Sequence, residues 1–148
     1  MTDQDWIGLF RNPQPGLDLA ELSLLESELG FRLPQILREL YGHVAAGMFA
    51  RGMFVADDGY EYNLSRILRG RPKIGEETEM VEVNRMFLHE KRLIDEGHVV
   101  FAQDAGGNFY TVDRRSEAVW YWPMDVEPEP RLVGSNLVAI LNGLQDQL

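Results

Sequence analysis

Residues 98–122 read HVVFAQDAGGNFYTVDRRSEAVWYW, and their reading decides the fold. Three short runs rich in Val, Phe, Tyr and Trp are separated by turn-forming residues at 105–108 and 113–117, the pattern of consecutive antiparallel strands. Gly106 and Gly107 allow the positive φ that a tight hairpin needs, and Asn108 tolerates it better than most residues. Residues 99–102 are apolar at both alternations, so this strand is expected at the centre of a sheet, covered on both sides. In the last run, alternation sends Trp120 and Trp122 to one face and Tyr121 to the other.

Outward from this meander, the N-terminal half reads as helical. Trp6, Ile7, Leu9 and Phe10 form an apolar cluster, expected as one helical turn packed on the body ahead of a turn at 13–16. Leu19, Leu22, Leu25 or Glu26, and Leu29 then share a face, with Asp18 placed to cap the helix and Gly30 to stop it. Pro34 opens a second helix whose stripe of Leu37, Leu40, Tyr41 and Val44 predicts continuation through Gly42 to Gly47. Two strands, 48–56 and 60–64, are expected around the turn Asp57-Asp58-Gly59, with Ser65 capping a single turn through Leu68.

Residues 66–73 hold four basic side chains around Gly70 and Pro72 and read as a solvated loop, followed by Glu76, Glu77, Glu79 and Glu82. A third helix is expected over about 84–96, stopped by Gly97; residues 80–83 fit either its start or a short extended piece. After the meander, DVEPEP at 125–130 is an exposed acidic loop, because its prolines forbid regular structure and its carboxylates require water. Ser135 is placed to cap a last helix with Leu137, Ile140, Leu141 and Leu144 on one face. The order implies an α+β fold, an antiparallel sheet with helices mainly on one face.

At 148 residues the chain has the size of one domain, 1–148, with 1–17 as an N-terminal extension packed on it. Its first residues carry no apolar run of signal-peptide length, and no window approaches the roughly 18 apolar residues of a spanning helix, so a cytoplasmic protein without membrane contact is expected. With no cysteine, disulfides and thiolate chemistry are excluded. His43, His89 and His98 lack the spacing that puts two ligands on one metal. Asp57, Asp58, Asp104 and Asn108 fail the calcium-loop template and read as turn residues bonding their own backbone. No serine sits in a nucleophile elbow, and Gly106-Gly107 lacks the following helix of a phosphate loop, so no catalytic, cofactor or metal residues are assigned.

A net charge of −10 disfavours nucleic acid as a direct ligand and favours a basic partner. Tryptophan and tyrosine are favoured interface anchors, and an aromatic centre beside an acidic rim suits a basic protein. The candidate contacts are therefore Trp120, Tyr121, Trp122, Asp125, Glu127 and Glu129, with Glu76, Glu77, Glu79 and Glu82 as a second acidic run. Packing against core or helix accounts for the same aromatics without any partner.

Several motifs together carry a family resemblance. Residues 26–29 precede Gly30; Leu33-Pro34 opens a helix with Leu37, Leu40 and Tyr41; Gly47, Leu64-Ser65-Arg66-Ile67, the whole of 100–113, Val119 and the final helix follow. Over roughly 18–147 the chain resembles the SUKH superfamily, which includes the Smi/Knr cell-wall synthesis regulator and many bacterial immunity proteins. It departs from the pattern at Ala46, where an asparagine is expected, at Gly42 within the second helix, and in the acidic loop at 125–130. The resemblance implies a non-enzymatic protein-binding module. The first expectation is an immunity-type protein neutralising a basic toxin domain, a nuclease or similar; the alternative is an intracellular regulatory or scaffolding role.

Overall fold

The computed structural model describes residues 1–125 and 129–146. The chain opens with helix α1 (Asp3–Gly8) and strand β1 (Phe10–Pro15), followed by α2 (Leu19–Leu29) and α3 (Gln35–His43). Four strands come next: β2 (Val44–Phe49), β3 (Met53–Val55), β4 (Glu61–Asn63) and β5 (Arg66–Ile67). Helix α4 (Glu79–Asn84) runs directly into a π-helical segment (Arg85–Glu90). The expected meander is β6 (His98–Gln103), β7 (Phe109–Asp113) and β8 (Val119–Trp122), and β9 (Arg131–Gly134) and α5 (Leu137–Asn142) close the chain.

Seven strands form one antiparallel sheet in the order β1-β2-β5-β6-β7-β8-β9, and β3 pairs with β4 in a separate hairpin. The architecture is α+β. Strand β6 lies at the middle, and Val99, Val100, Phe101 and Ala102 have no accessible surface, as their two-sided apolarity requires. Alternation puts Phe109 and Tyr110 on opposite faces. Phe87 of the π-helical segment packs on Phe109, while Phe54 of the hairpin packs on Tyr110. Helices α2 and α4 pack on each other over the first face, and Phe54 and Tyr62 of the hairpin pack on Tyr110 and Tyr121 over the second. Among the described residues, no helix is long and apolar enough to cross a membrane.

Local chemistry sets most boundaries. Asp18 and Glu21 form a reciprocal capping box at the start of α2, with Asp18 Oδ1 accepting from the Glu21 N–H at 2.8 Å. Gly30 ends that helix at φ 86°, a left-handed conformation that disfavours any side chain. Leu22, Leu25 and Leu29 are buried, but Leu19, in the first turn, is 74% exposed. Gly107 has φ 86° in the β6–β7 turn, and Asp104 Oδ1 accepts from the N–H groups of Gly106 and Asn108.

Elsewhere long-range pairing overrides the local signals. Residues 10–15 form a strand, although Phe10 was expected in the helical turn and 13–16 as a turn; Pro13 and Pro15 are tolerated because β1 is an edge, and its register breaks around Asn12, at φ 47°. Helix α3 includes Gly42 but stops at His43, because Val44 is buried as the first residue of β2 rather than as a further helical turn. The strand expected at 48–56 is divided: Met48 and Phe49 end β2, and residues 53–55 begin the hairpin. Ser65 caps nothing, since Arg66 and Ile67 are wedged between β2 and β6. Residues 66–73 are therefore no solvated loop at their start.

The third helical stretch spans 79–90 rather than 84–96, so residues 80–83 are helical. Asn84 fixes its position. Strand β5 pairs with β6 only at Gln103 and Ala102, which leaves the Val100 backbone without a strand neighbour on that side. The fully buried Asn84 amide replaces it, accepting from the Val100 N–H at 2.8 Å and donating to the Val100 carbonyl at 2.9 Å. The last helix is capped by Asn136, one residue later than expected; its Oδ1 accepts from the Val138 N–H, and Ser135 stays outside.

Candidate functional site

Strand β8 divides the candidate aromatic residues between two environments. Trp122 is buried on the helical face, where its Nε1 donates to Thr111 Oγ1 at 2.9 Å. His98 Nδ1 lies 2.7 Å from the same hydroxyl, and the imidazole meets Trp120 and Trp122 edge-on. Burial pushes the His98 pKa down, against the opposing pull of Asp113 and Asp95. This group is a satisfied packing network. Trp122 is not available as a partner contact, and Trp120 is only partly accessible beside it.

On the opposite face, Tyr121 enters a cluster of three tyrosines. Its ring centroid lies 5.0 Å from that of Tyr110 and 5.2 Å from that of Tyr62, the latter edge-on. The Tyr121 hydroxyl donates to Asp104 Oδ2 at 2.8 Å, the Tyr62 hydroxyl to Asp58 Oδ2 at 2.7 Å, and the buried Tyr110 to the Asn63 carbonyl at 2.7 Å. Asp104 thus performs two jobs: one oxygen closes the hairpin turn, and the other orients Tyr121.

Electrostatics follow from this arrangement. Burial first, and the Asp104 carboxylate second, raise the Tyr121 pKa well above the usual tyrosine range, so its phenol stays protonated. Burial and Asp58 raise Tyr62 in the same way. Hydrogen bonds from Tyr62 and the Tyr60 N–H hold the Asp58 carboxyl below the usual carboxylate range. Arg131 on β9 stands beside the Tyr62 hydroxyl, and the charge of Asp125 reaches Tyr121. Asp58, Asp104 and Asp125 with Arg131 leave this patch net negative. Tyr60 and Val55 are also exposed on the hairpin, Val55 on the side away from Phe54 and Tyr62.

The other acidic residues are scattered. Glu129 is exposed, and Glu127 lies outside the described residues. The run Glu76, Glu77, Glu79 and Glu82 is not a free acidic surface, because arginines of the preceding segment and of the π-helical segment pair with most of it. Glu79 takes both guanidinium nitrogens of Arg66, at 2.8 and 3.1 Å, and the Arg69 N–H at 2.8 Å. Glu77 pairs with Arg85 at short range, and Glu76 lies 3.9 Å from Arg69. Glu82 is exposed with no ion pair among the described residues. Among the described residues, no three His, Asp or Glu side chains are grouped to hold a metal ion.

Of the candidates read from the sequence, Tyr121 stands on the opposite face from the tryptophans, and Asp125 lies near enough for its charge to help raise the Tyr121 pKa. The structure adds Asp58, Tyr62, Asp104 and Arg131. Asp58 and Asp104 were visible only as turn residues, and nothing local could link them to tyrosines on other strands.

A seven-stranded antiparallel sheet with α2 and α4 on one face and a hairpin over a tyrosine cluster on the other defines an α+β domain of the SUKH type. Residues 16–143 match the SMI1 / KNR4 family (SUKH-1), and the chain belongs to that family. No curated protein sequence matches the chain.

Proposed function

We propose that the chain is a non-enzymatic, single-domain binding protein of the immunity type, which occludes a basic toxin domain in the cytoplasm. The observation carrying this reading is the partly exposed Tyr121, braced edge-on by the buried Tyr62 and held by Asp104, with the exposed Asp58 and Asp125 supplying further negative charge. The Tyr121 phenol is held in a fixed orientation by Asp104, so the site combines a rigid aromatic contact with negative charge. Both features suit a partner built to grip phosphate. The −10 net charge would speed encounter with such a partner.

Co-expression with toxin domains encoded beside the gene should rescue growth and give a complex that co-purifies. Replacing Tyr121 with alanine, or Asp58 with arginine, should then weaken capture by at least about tenfold, as expected of a central interface anchor. Failure to capture any such domain would overturn the reading. The family match, named from the cell-wall regulators, favours a second reading as a regulatory scaffold. A housekeeping protein recovered in stoichiometric yield from the chain's own cells would support that instead.

A further inference from the structure

Cross-strand register places six side chains in one row on the helical face: Arg11, Met48, Arg66, Gln103, Phe109 and Trp122. The π-helical segment covers the aromatic end through Phe87. The layer stops at Glu79, which grips Arg66. Beyond it the row is open: Met48 is 56% exposed and Arg11 is exposed beside it. Arg69 and Lys73, from the loop before α4, wall the same groove.

The charge of this groove opposes that of the molecule. Its cations are Arg11, Arg66, Arg69 and Lys73, and its carboxylates are Glu79, fully engaged with Arg66, and Glu76, 3.9 Å from Arg69. Arg11 and Lys73 have no carboxylate within ion-pair distance among the described residues. An exposed methionine between cations is an adaptable apolar contact with charge on either side. Strand addition at the neighbouring edge is blocked, because Pro13 and Pro15 withhold backbone donors.

We propose that this groove docks an acidic segment of a partner protein, with carboxylates on Arg11 and Lys73 and an apolar side chain on Met48. The occupant follows from charge complementarity at short range. Nucleic acid, with its long anionic backbone, meets the repulsion of the remaining surface. The groove lies on the opposite face of the sheet from Tyr121, so it is a second surface, independent of the one in the functional proposal.

The test is fluorescence anisotropy with a fluorescein-labelled peptide of glutamates with one central leucine, and with its glutamine counterpart. The glutamate peptide should bind, and weaken at least about tenfold between roughly 50 and 300 mM salt. The double variant R11E/K73E should weaken it by at least about tenfold, and R11Q/K73Q by less, while Met48→Ser should weaken it about threefold or more. Both charged positions are exposed, so melting temperatures should stay within a few degrees, and capture of a toxin through Tyr121 should be unchanged. Equal binding of the glutamine peptide, no response to R11E/K73E, or tighter binding of a single-stranded oligonucleotide would overturn the proposal.

Discussion

The Tyr121 hydroxyl donates to Asp104 Oδ2 across 2.8 Å, tying the middle of β8 to the turn that closes β6 and β7. Asp104 also receives the Asn108 side-chain amide at 3.0 Å on that same oxygen. Turn geometry and the orientation of the Tyr121 ring are therefore coupled in one carboxylate. Replacing Tyr121 with phenylalanine keeps the ring packing and removes the bond, so urea unfolding should show a loss of about 0.5–1.5 kcal/mol. An unchanged midpoint would mean that water replaces the phenol without loss.

Four of the five tyrosines, Tyr41, Tyr62, Tyr110 and Tyr121, have phenol pKa values raised above their ordinary level, with burial the first cause in each. A raised folded pKa means that stabilisation is complete below the unfolded value of about 10 and disappears as pH climbs through the folded ones. Stability should thus fall steeply above about pH 10, and ultraviolet titration should show these phenols ionising only as the fold opens. Smooth titration of these four in the folded protein would contradict the buried hydrogen-bond network.

Asn84 substitutes for a missing strand beside Val100. Alanine there strands a buried N–H and a buried carbonyl, which should cost about 2–4 kcal/mol in chemical denaturation. Amide hydrogen exchange at Val100 should accelerate more than at Val112, whose pairing with β6 and β8 is unaffected. Equal acceleration at both positions would point to a global loss of stability and not to a local clamp.

For His98 the sign is opposite to that of the tyrosines. Its folded pKa is lowered, so the neutral ring is the folded form and its stabilisation is complete above about pH 6.5. It is lost as pH falls below that value. Stability measured between about pH 7 and 5 should decline more in the wild type than in a His98→Gln variant. Parallel curves would remove His98 from the acid limb.

Glu79 holds Arg66 at the edge of the helical layer and also accepts from the Arg69 backbone. Burial opposes its ionisation, but the hydrogen bonds from Arg66 and Arg69 prevail and leave its pKa lowered. Glu79→Ala should destabilise by about 1–3 kcal/mol, discounted for the partial exposure of the pair, and the loss should shrink in an Arg66→Met background. A simple sum of the two single losses would show that the pair is not coupled.

Much of this fold was legible locally. Strands β6, β7 and β8 announce themselves because alternation and turn chemistry act over a few residues, as do the Asp18 cap and Gly30. Strands β1, β5 and β9 were not legible. They are short, carry proline or charge, and are strands only because a neighbour supplies hydrogen bonds. The same reason explains Val44, whose helical spacing is overruled by pairing with Pro15. The glutamate run looked like a free surface because its arginine partners lie seven to thirteen positions away along the chain.

By itself the sequence determined the α+β class, the central β6, the opposite facing of Trp120 and Tyr121, and the family resemblance that residues 16–143 carry. These rest on periodicity and on residues with restricted conformations. Only tertiary structure decided that Tyr121 meets Asp104 and Tyr62, that the tryptophans close on His98, and that Arg11, Met48 and Arg66 stand in one open row. Such contacts depend on strand order and register. Those are set by burial of the whole core and leave no mark within any single stretch of chain.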